Sequence, residues 1–534
     1  MRLQIEEAFM RLGIDFGTTR TRVAAAIEHN YPLAEFEHET GFHQNWYPSL
    51  IAVRGDQVAF GLDALPLQYD STWEIFHSFK RYLSGSHPQT VMAIGQVKFS
   101  LLEWLTRFLN TLYKDVLTRS NLEIDSHEPL EVMVGIPTNA NSNQRFLTLE
   151  AFRQAGFEVI GMLNEPSAAG VEFTYRFGRP EEASLCEHLV VYDLGGGTFD
   201  VSVIRVTGKR HEVIGSEGIT QLGGDDFDRL LLEVALSQSS LPQSLRRPLL
   251  LAASGIIIPP LTSNVRPRLL HICREAKESI RANTRKITID FGQISDEADA
   301  VLVPISQFYE KCEPLISWTV ERTELVLQSV LQQSEADDEA EVSVYLVGGS
   351  CDLPALARAL REHFGKRVRR SPYPSAATAV GLAIAADQES GYSLEERFSR
   401  FFGVWRESEE GSKIAFDPIF AKETILPRFG YSPIQIRRRY NPVHNVGHFR
   451  YFECGNLNNT QREPCGDIIA WDEVYFPYAP ALQTETRLDQ VSIERWPEAG
   501  SMWVEELYEC DAQGIIHVTI SNQTAGYSRT YRIR

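Results

Sequence analysis

The sequence predicts an α/β N-terminal domain followed by a small all-β C-terminal domain. Three observations carry this. Strand-like and helix-like runs alternate from Arg11 to about Asp387, the pattern of an α/β architecture. A glycine-bearing turn between two apolar strands occurs twice, as Asp15-Phe16-Gly17-Thr18-Thr19 and, altered, as Asp193-Leu194-Gly195-Gly196-Gly197-Thr198. Beyond Trp405 helical periodicity fades into short β-rich runs punctuated by Pro, Gly and Asn, which reads as a separate domain of short strands.

The first turn follows Leu12–Ile14 and leads into an apolar run from Thr21 to Ala26; the second follows Leu189–Tyr192 and leads into Phe199–Val206. Glycine at the bend lets backbone N–H groups come close to phosphate oxygens. The aspartates suit a divalent cation and its waters, and the threonine hydroxyls can bond phosphate or a water. One such turn alone is an ordinary hairpin. Two in one chain point to jaws closing on a nucleotide.

Further strands are predicted at Glu131–Gly135 and Val342–Val347, and helices at Leu101–Leu117, Ser142–Ala155, Phe227–Leu236, Leu269–Ala282 and Ile305–Gln333. The acidic run Ser334–Glu341 reads as an exposed loop without the glycine and spacing of a calcium loop. Residues 1–10 read as an added arm, and 11–387 as the α/β domain. Polar residues around Gln388–Glu396 mark a linker, drawn over 388–404. The β domain takes 405–534, with strands at His448–Glu453, Trp503–Tyr508, Ile515–Ser521 and Tyr527–Ile533.

Composition bounds the function. The chain has 534 residues, 43% hydrophobic and 23% charged, with a formal net charge of −19, as in an ordinary globular protein. That acidity argues against nucleic-acid binding, which needs clustered cations; Arg367–Arg370 and Arg437–Arg439 read as solvated surface. The seven cysteines show no Cys-x-x-Cys spacing, so neither a zinc site nor a secreted disulfide framework is indicated, and a cytoplasmic location is expected. No apolar signal core opens the chain. The most apolar stretch, Leu249–Leu261, contains Pro259-Pro260 and is too short to span a bilayer; it reads as a buried helix end and loop, with no membrane partner. His38-Glu39-x-x-x-His43 has one residue too many for the zinc-protease helix, and there is neither a P-loop nor a Gly-x-Ser-x-Gly elbow.

Seven motifs stand in order along residues 11–385: GIDFGTTRTRVA, FKRYL, VGIPTNANSNQR, LNEPSAAG, VVYDLGGGTFDVSV, LGGDDFD and VYLVGGSCDLP. In this the segment resembles the ATPase domain of the seventy-kilodalton heat-shock chaperones, within the actin and sugar-kinase superfamily. The resemblance implies a two-lobed actin-like fold, ATP or ADP with Mg2+ as cofactors, and slow ATP hydrolysis. It assigns Asp15, Asp193 and Asp200 to the metal, mostly through water. Catalytic roles fall on Lys80, Glu165, Asp193 and Thr198, with Lys80 toward the γ-phosphate and Glu165 ordering the metal-bound water. The nucleotide is implied to lie against Gly17, Thr18, Thr19, Gly195, Gly196, Gly197, Gly223, Gly224, Lys277, Gly348, Gly349 and Ser350. Pro137 and Arg145 match residues that relay nucleotide state to the second domain. Phosphoryl transfer to water needs these types, because it is mostly positioning plus neutralisation of charge. The bland readings are a surface lysine for Lys80, a helix N-terminal acid for Glu165, a strand-ending proline for Pro137 and an exposed helix arginine for Arg145.

The adenosine side departs from the family pattern. Arg274 stands for the usual glutamate, Arg281 for a serine, Glu278 for a basic residue, and Asp352 for the arginine that stacks on adenine. Losing that flat cation removes a stacking contact. The C-terminal part resembles the family's substrate-binding β-sandwich faintly, chiefly in YECDAQGIIHVTISNQTAGYSRTYRI and in Asp417-Pro418 to Pro427. The sequence stops at Arg534, so a β domain without helical lid is expected. The aromatics Phe398, Phe401, Phe402 and Trp405 occupy the place of the family's apolar linker and read as interface packing or a docking segment.

The first reading is a chaperone-like ATPase whose partners are polypeptide clients, with J-domain or nucleotide-exchange co-chaperones. The second is a nucleotide-binding scaffold without significant turnover, motivated by Arg274, Arg281 and Asp352. The third is a small-molecule kinase of the same superfamily.

Overall fold

The computed structural model describes residues 10–38, 41–70, 72–85, 90–124, 128–138, 140–178, 186–219, 221–253, 265–292, 299–333, 341–408, 413–422, 424–427, 431–458 and 463–533. Apart from Met10, the N-terminal arm lies outside them, as do Glu39 of the His38–His43 motif, residues 254–261 of the apolar stretch and residues 334–340 of the acidic run. The part of the apolar stretch that is described, Leu249–Ala253, closes the helix Gln243–Ala253. The chain divides into two compact units. One comprises Met1–Thr138 and Leu147–Leu394; the other comprises Asn139–Phe146 and Glu395–Arg534.

The first unit is mixed α/β. In its five-stranded sheet, β1 (Arg11–Asp15) pairs antiparallel with β2 (Arg20–Ala26) and parallel with the strand Glu131–Ile136. In its six-stranded sheet, β3 (Cys186–Leu194) pairs antiparallel with β4 (Phe199–Thr207) and parallel with the strand Glu341–Val347. The doubled turn in the sequence is thus a doubled hairpin, each joined to a parallel neighbour.

The second hairpin is covered on both faces, which explains its near-continuous apolar run. Val190, Tyr192, Phe199, Val201 and Val203 face a core shared with α2 (Gly224–Gln238), α3 (Val265–Glu278) and the helix Ile305–Gln333. Leu189, Val191, Ile204 and Val206 face α1 (Glu165–Phe177) through Ala169 and Phe173. Small residues let a last helix, α4 (Ala377–Ala386), close on this layer. A β-carbon on Gly381 would run into the Ala168 carbonyl of α1, and one on Gly13 of β1 into the backbone of Ala379 and Ala383. The α1/α4 pair therefore lies between the sheets at backbone-contact distance.

The division between the two units, after Leu394, falls within the polar segment 388–404 expected as a linker, and part of that segment is strand. Ser393–Glu395 is the edge strand of the six-stranded sheet, and the backbone N–H of Ser393 donates to the Lys209 carbonyl. Polarity reflects an edge position, which needs no apolar face on its outer side.

The second unit is all-β apart from short turns and residues 140–146. One four-stranded sheet contains Lys413–Phe420, Phe401–Ser408, Val446–Leu457 and Pro464–Pro477; the other contains Ile434–Tyr440, Val504–Cys510, Ile516–Asn522 and Tyr527–Arg532. Their facing side chains form one core. Two aromatics of the segment after Glu395 belong to it, Phe398 stacking on Phe420 at 5.2 Å and Phe402 on Tyr451 at 5.6 Å, while Trp405 meets Phe416 and Phe452. One strand, Ile434–Tyr440, escapes a sequence reading because it carries Arg437, Arg438 and Arg439 and so reads as a basic patch. In the fold Arg438 reaches Asp417 at 2.9 Å and Arg439 reaches Glu505 at 2.6 Å. The sandwich also holds a buried polar network. Glu506, fully buried, accepts hydrogen bonds from Arg406, Tyr440 and Tyr508.

Among the described residues, no helix is long and apolar enough to cross a membrane.

Candidate functional site

The two hairpin turns face one another. A β-carbon on Gly196 would stand 2.6 Å from the Thr19 hydroxyl, and one on Gly197 2.7 Å from the Thr18 methyl. Only glycine permits this approach. The second turn closes on itself through Gly195 N–H to Thr198 O at 3.0 Å. Neighbouring segments hold it from behind. Gly224 N–H donates to Gly195 O at 3.0 Å, Asp225 N–H to Gly196 O at 2.7 Å, and the Ser350 hydroxyl to Gly195 O at 2.8 Å. Gly348, at φ +86°, passes directly over Leu194 and Asp193.

Lys80 enters this space from the 3-10 segment Phe79–Gly85. Phe79 is buried against Phe16 and Phe108, with ring centroids 5.7 and 5.0 Å away, and this fixes the residue after it. Lys80 is 7% exposed, so the surface-lysine reading does not hold. Its Nζ donates to Glu165 Oε1 at 2.5 Å. Glu165 opens α1, with Pro166 in the first turn, so the helix-start reading and the site reading of Glu165 coexist.

The pair sits among three further acids. Burial and the charge of Glu165 raise Asp15 to about 7, against the pull of Lys80 and Arg22. Burial and Glu165 raise Asp200 to about 7. Burial, then Glu165, Asp15 and Asp200, push Asp193 well above the ordinary carboxylate range. Burial alone would lower the Lys80 ammonium, but Glu165 and Asp15 outweigh it and hold it up. One lysine thus serves four buried carboxylates, and the surplus negative charge fits a divalent cation. No group of three or more His, Cys, Asp or Glu side chains converges as direct ligands among the described residues.

One cleft of the first unit is lined by Asp15, Gly17, Thr18, Thr19, Lys80, Glu165, Asp193, Gly195, Gly196, Thr198, Gly224, Lys277, Gly348, Gly349 and Ser350. Three expected residues do not reach its wall. Gly197 and Gly223 back the second turn, where a β-carbon on Gly223 would stand 2.6 Å from Gly197 N. Asp200 is 4% exposed and lies behind Thr198. Its carboxylate accepts from the Thr198 hydroxyl and the backbone N–H of Thr138, the residue that follows buried Pro137. Arg145 is also buried, not exposed. Burial pushes its guanidinium down while Glu396 and Glu453 oppose this.

On the adenosine side the unusual residues all have protein partners. Arg274 bonds Asp225 at 2.7 Å and Asp228 at 3.0 Å, tying α3 to α2. Lys277, expected at the ribose, donates to Gly224 O at 2.7 Å and lies 2.6 Å from Asp228. Arg281 donates to the carbonyls of Glu278 and Ile280 at the end of α3. Asp352 pairs with Arg370, so a flat cation stands beside it after all.

Sequence reasoning missed Arg20, Arg22 and Asp225, which also line the cleft. Their signal is local. Arg20 and Arg22 follow the first turn at a spacing of two, which sends both to one side of a strand. Arg22 donates to Ser375 at 2.7 Å and to the Asn45 carbonyl at 2.7 Å.

Two opposed hairpin turns with a buried lysine–carboxylate pair between them define the cleft of this α/β unit. The family model described as Hsp70 protein matches residues 11–398, and the chain belongs to the Hsp70 family. A chaperone protein HscA homolog of Haemophilus influenzae (strain 86-028NP) is 27% identical over 71% of this chain and 57% of its own length. A chaperone protein dnaK of Thalassiosira pseudonana is 28% identical over 70% and 62%. A heat shock protein of Pyricularia oryzae is 26% identical over 76% and 59%. The chain spans a little over half the length of these curated relatives.

Proposed function

We propose that the chain is a chaperone-type ATPase that binds Mg-ATP in the cleft of a two-lobed, actin-like domain over residues 11–387. Slow hydrolysis there controls polypeptide binding by the β domain over 405–534. The observation that carries this is the Lys80–Glu165 pair, held at 2.5 Å between two turns whose backbones face each other. The backbone N–H of Gly196, with the hydroxyls of Thr18, Thr19 and Thr198, orients a polyphosphate that the glycine turns at Gly17 and Gly195 let come close. Lys80 leaves Glu165 to meet charge that builds on the γ-phosphate oxygens, and Glu165, freed, accepts a proton from the attacking water. Asp15 and Asp193 hold the cation's waters; when bound, the cation neutralises phosphate charge. Pro137 and Arg145 couple the site to the β domain, the first through Thr138 and Asp200, the second through Glu396 and Glu453. Polypeptide clients, with J-domain or nucleotide-exchange helpers, are the partners this reading implies.

The test is single-turnover hydrolysis of Mg-ATP by purified full-length protein. Conversion to ADP that Asp193→Ala abolishes supports the reading. Tight binding without conversion would favour a nucleotide-holding scaffold instead. The engagement of Lys277 and Arg274 by Asp228 speaks for that second reading, since it leaves these two cations fewer bonds to offer a nucleoside.

A further inference from the structure

The cysteines show no spacing in sequence that marks a pair, yet the fold brings two of them together. Cys454 lies on the strand Val446–Leu457 and Cys465 on the strand Pro464–Pro477, which run antiparallel in one sheet of the second unit. Asn456 pairs with Cys465, and Cys454 with Ile468. Three steps along the second strand thus match two along the first, which is a bulge, and Gly466 within it takes φ +78°. Residues two apart on a strand share a face. Cys454 and Asn456 do so, and Cys465 stands on the same face opposite Asn456. The backbone N–H of Cys465 donates to Cys454 Sγ, so the two residues touch.

The two thiols differ in access. Cys454 is 0% exposed, and burial pushes its thiol up while Arg400 and the Cys465 N–H pull the other way. Cys465 is part-exposed, whereas Cys273, Cys312, Cys351 and Cys510 are buried. A small oxidant in solution therefore meets Cys465 before any of these, with Cys454 beside it. The strand that carries Cys454 also does structural work. Glu453, the residue before it, accepts from the Ser142 backbone N–H at 3.2 Å and pairs with Arg400 at 3.3 Å. Ser142 lies in the segment Asn139–Phe146, which counts with the second unit.

We propose that Cys465 and Cys454 form an oxidation site for hydrogen peroxide that closes reversibly to a disulfide and fastens the strand bearing Glu453 to its neighbour. The Cys465 sulfur attacks the peroxide O–O bond. An S–O bond forms, the O–O bond breaks, and the thiol proton leaves with the departing oxygen as water, so that Cys465 becomes a sulfenic acid. The Cys454 sulfur then attacks that sulfur. An S–S bond forms, the S–O bond breaks, and the Cys454 proton leaves with the hydroxyl as a second water. The two thiols together lose two electrons and one peroxide takes them up. A dithiol reverses the link by exchange. None of these steps requires a nucleotide in the cleft.

The experiment treats the full chain, freed of reductant, with hydrogen peroxide, blocks the remaining thiols with N-ethylmaleimide and digests with trypsin without reduction. Cleavage after Arg450, Arg462 and Arg487 separates Tyr451–Arg462, which holds Cys454, from Glu463–Arg487, which holds Cys465. The expected product is these two peptides joined, lighter by two hydrogens and parted again by a dithiol, from a chain that runs as a monomer on a non-reducing gel. Cys454→Ser should lose the link and accumulate the Cys465 sulfenic acid, trapped by dimedone several-fold more than in wild type. Cys465→Ser should lose the link and leave the Cys454 thiol free. Hydrogen exchange of the wild type, which needs no variant, should slow on oxidation over residues 446–457 and at Ser142 and recover with dithiol. Sulfinic acid on Glu463–Arg487 beside a free Cys454 thiol, a link from Cys465 to any other cysteine, or equal dimedone yields in wild type and Cys454→Ser overturns the proposal. A link confined to a species of twice the chain's mass, or exchange that oxidation leaves unchanged, overturns it as well.

Discussion

Lys80→Met separates what the buried pair does for the fold from what it does for chemistry. The Lys80 and Glu165 side chains are 7% and 9% exposed, with Nζ 2.5 Å from Oε1. Removing one partner of such a pair leaves an uncompensated buried charge, at about 3–5 kcal/mol. Protonation moderates this. Asp15 and Asp200 already stand at about 7, and losing the ammonium pushes them higher. A carboxyl raised in the folded state favours folding fully below its ordinary value of 3.8 and loses that contribution as pH rises through about 7. Lys80→Met should therefore destabilise nucleotide-free protein more at about pH 8 than at about pH 6. Turnover should fall about 10²–10³-fold, the usual effect of removing one preorganised donor from developing charge. Urea denaturation at both pH values and single-turnover hydrolysis measure the two effects. The double variant Lys80→Met with Glu165→Gln removes both charges and should recover stability to within about 2 kcal/mol of wild type, without recovering turnover. Wild-type turnover in Lys80→Met, or stability unaltered at both pH values, would refute the reasoning.

Binding of Mg-nucleotide should release protons near neutral pH, because Asp15, which lines the cleft and stands at about 7, must shed its proton to face a cation. Calorimetry in buffers of different ionisation enthalpy checks this, and a heat independent of buffer would contradict it. In the second unit, Glu506→Gln should destabilise by about 2 kcal/mol, since it leaves Arg406 with Asp417 as its remaining carboxylate and sets an amide NH2 against the hydroxyl of either Tyr440 or Tyr508. Urea unfolding followed by the tryptophans of that unit reads it. Gly381→Ala tests the α1/α4 contact. Helix propensity alone predicts a gain of about 1 kcal/mol, whereas the clash with the Ala168 carbonyl predicts a loss of about 3 kcal/mol or more. The sign of the change in denaturation midpoint decides.

What could be read from sequence was whatever is local. Each hairpin announces itself within about a dozen residues, because a glycine-bearing turn and the two apolar runs beside it are contiguous. The long helix Ile305–Gln333 was legible to the residue because its apolar period is sustained. Ile434–Tyr440 was hidden because its arginines find their acids on other strands, so its alternation reads as a charge run. The burial of Lys80 was equally invisible. It depends on Phe79 meeting Phe16 and Phe108, and nothing in Phe79-Lys80-Arg81 says so.

The adenosine side shows the limit most sharply, and it yields a last prediction. Position by position, Asp352 looks like a lost cation. The fold returns one from 18 residues further along, since Arg370 pairs with Asp352. Glu278 likewise receives Arg20 from 258 residues earlier. A substitution toward the family pattern at one position alone should then do harm. Asp352→Arg sets two guanidinium groups against each other where an ion pair stood, and repulsion moves Arg370 away. Arg370 and Asp352 are 43% and 58% exposed. The effect on nucleotide affinity should therefore be modest, a weakening of at most about fivefold. Adding Arg370→Asp to Asp352→Arg restores an opposite-charge pair and should restore the affinity. Equilibrium titration with a fluorescent nucleotide separates the cases. Tighter binding by Asp352→Arg alone would mean that the arginine works by its place in the sequence and that Arg370 does not stand in for it.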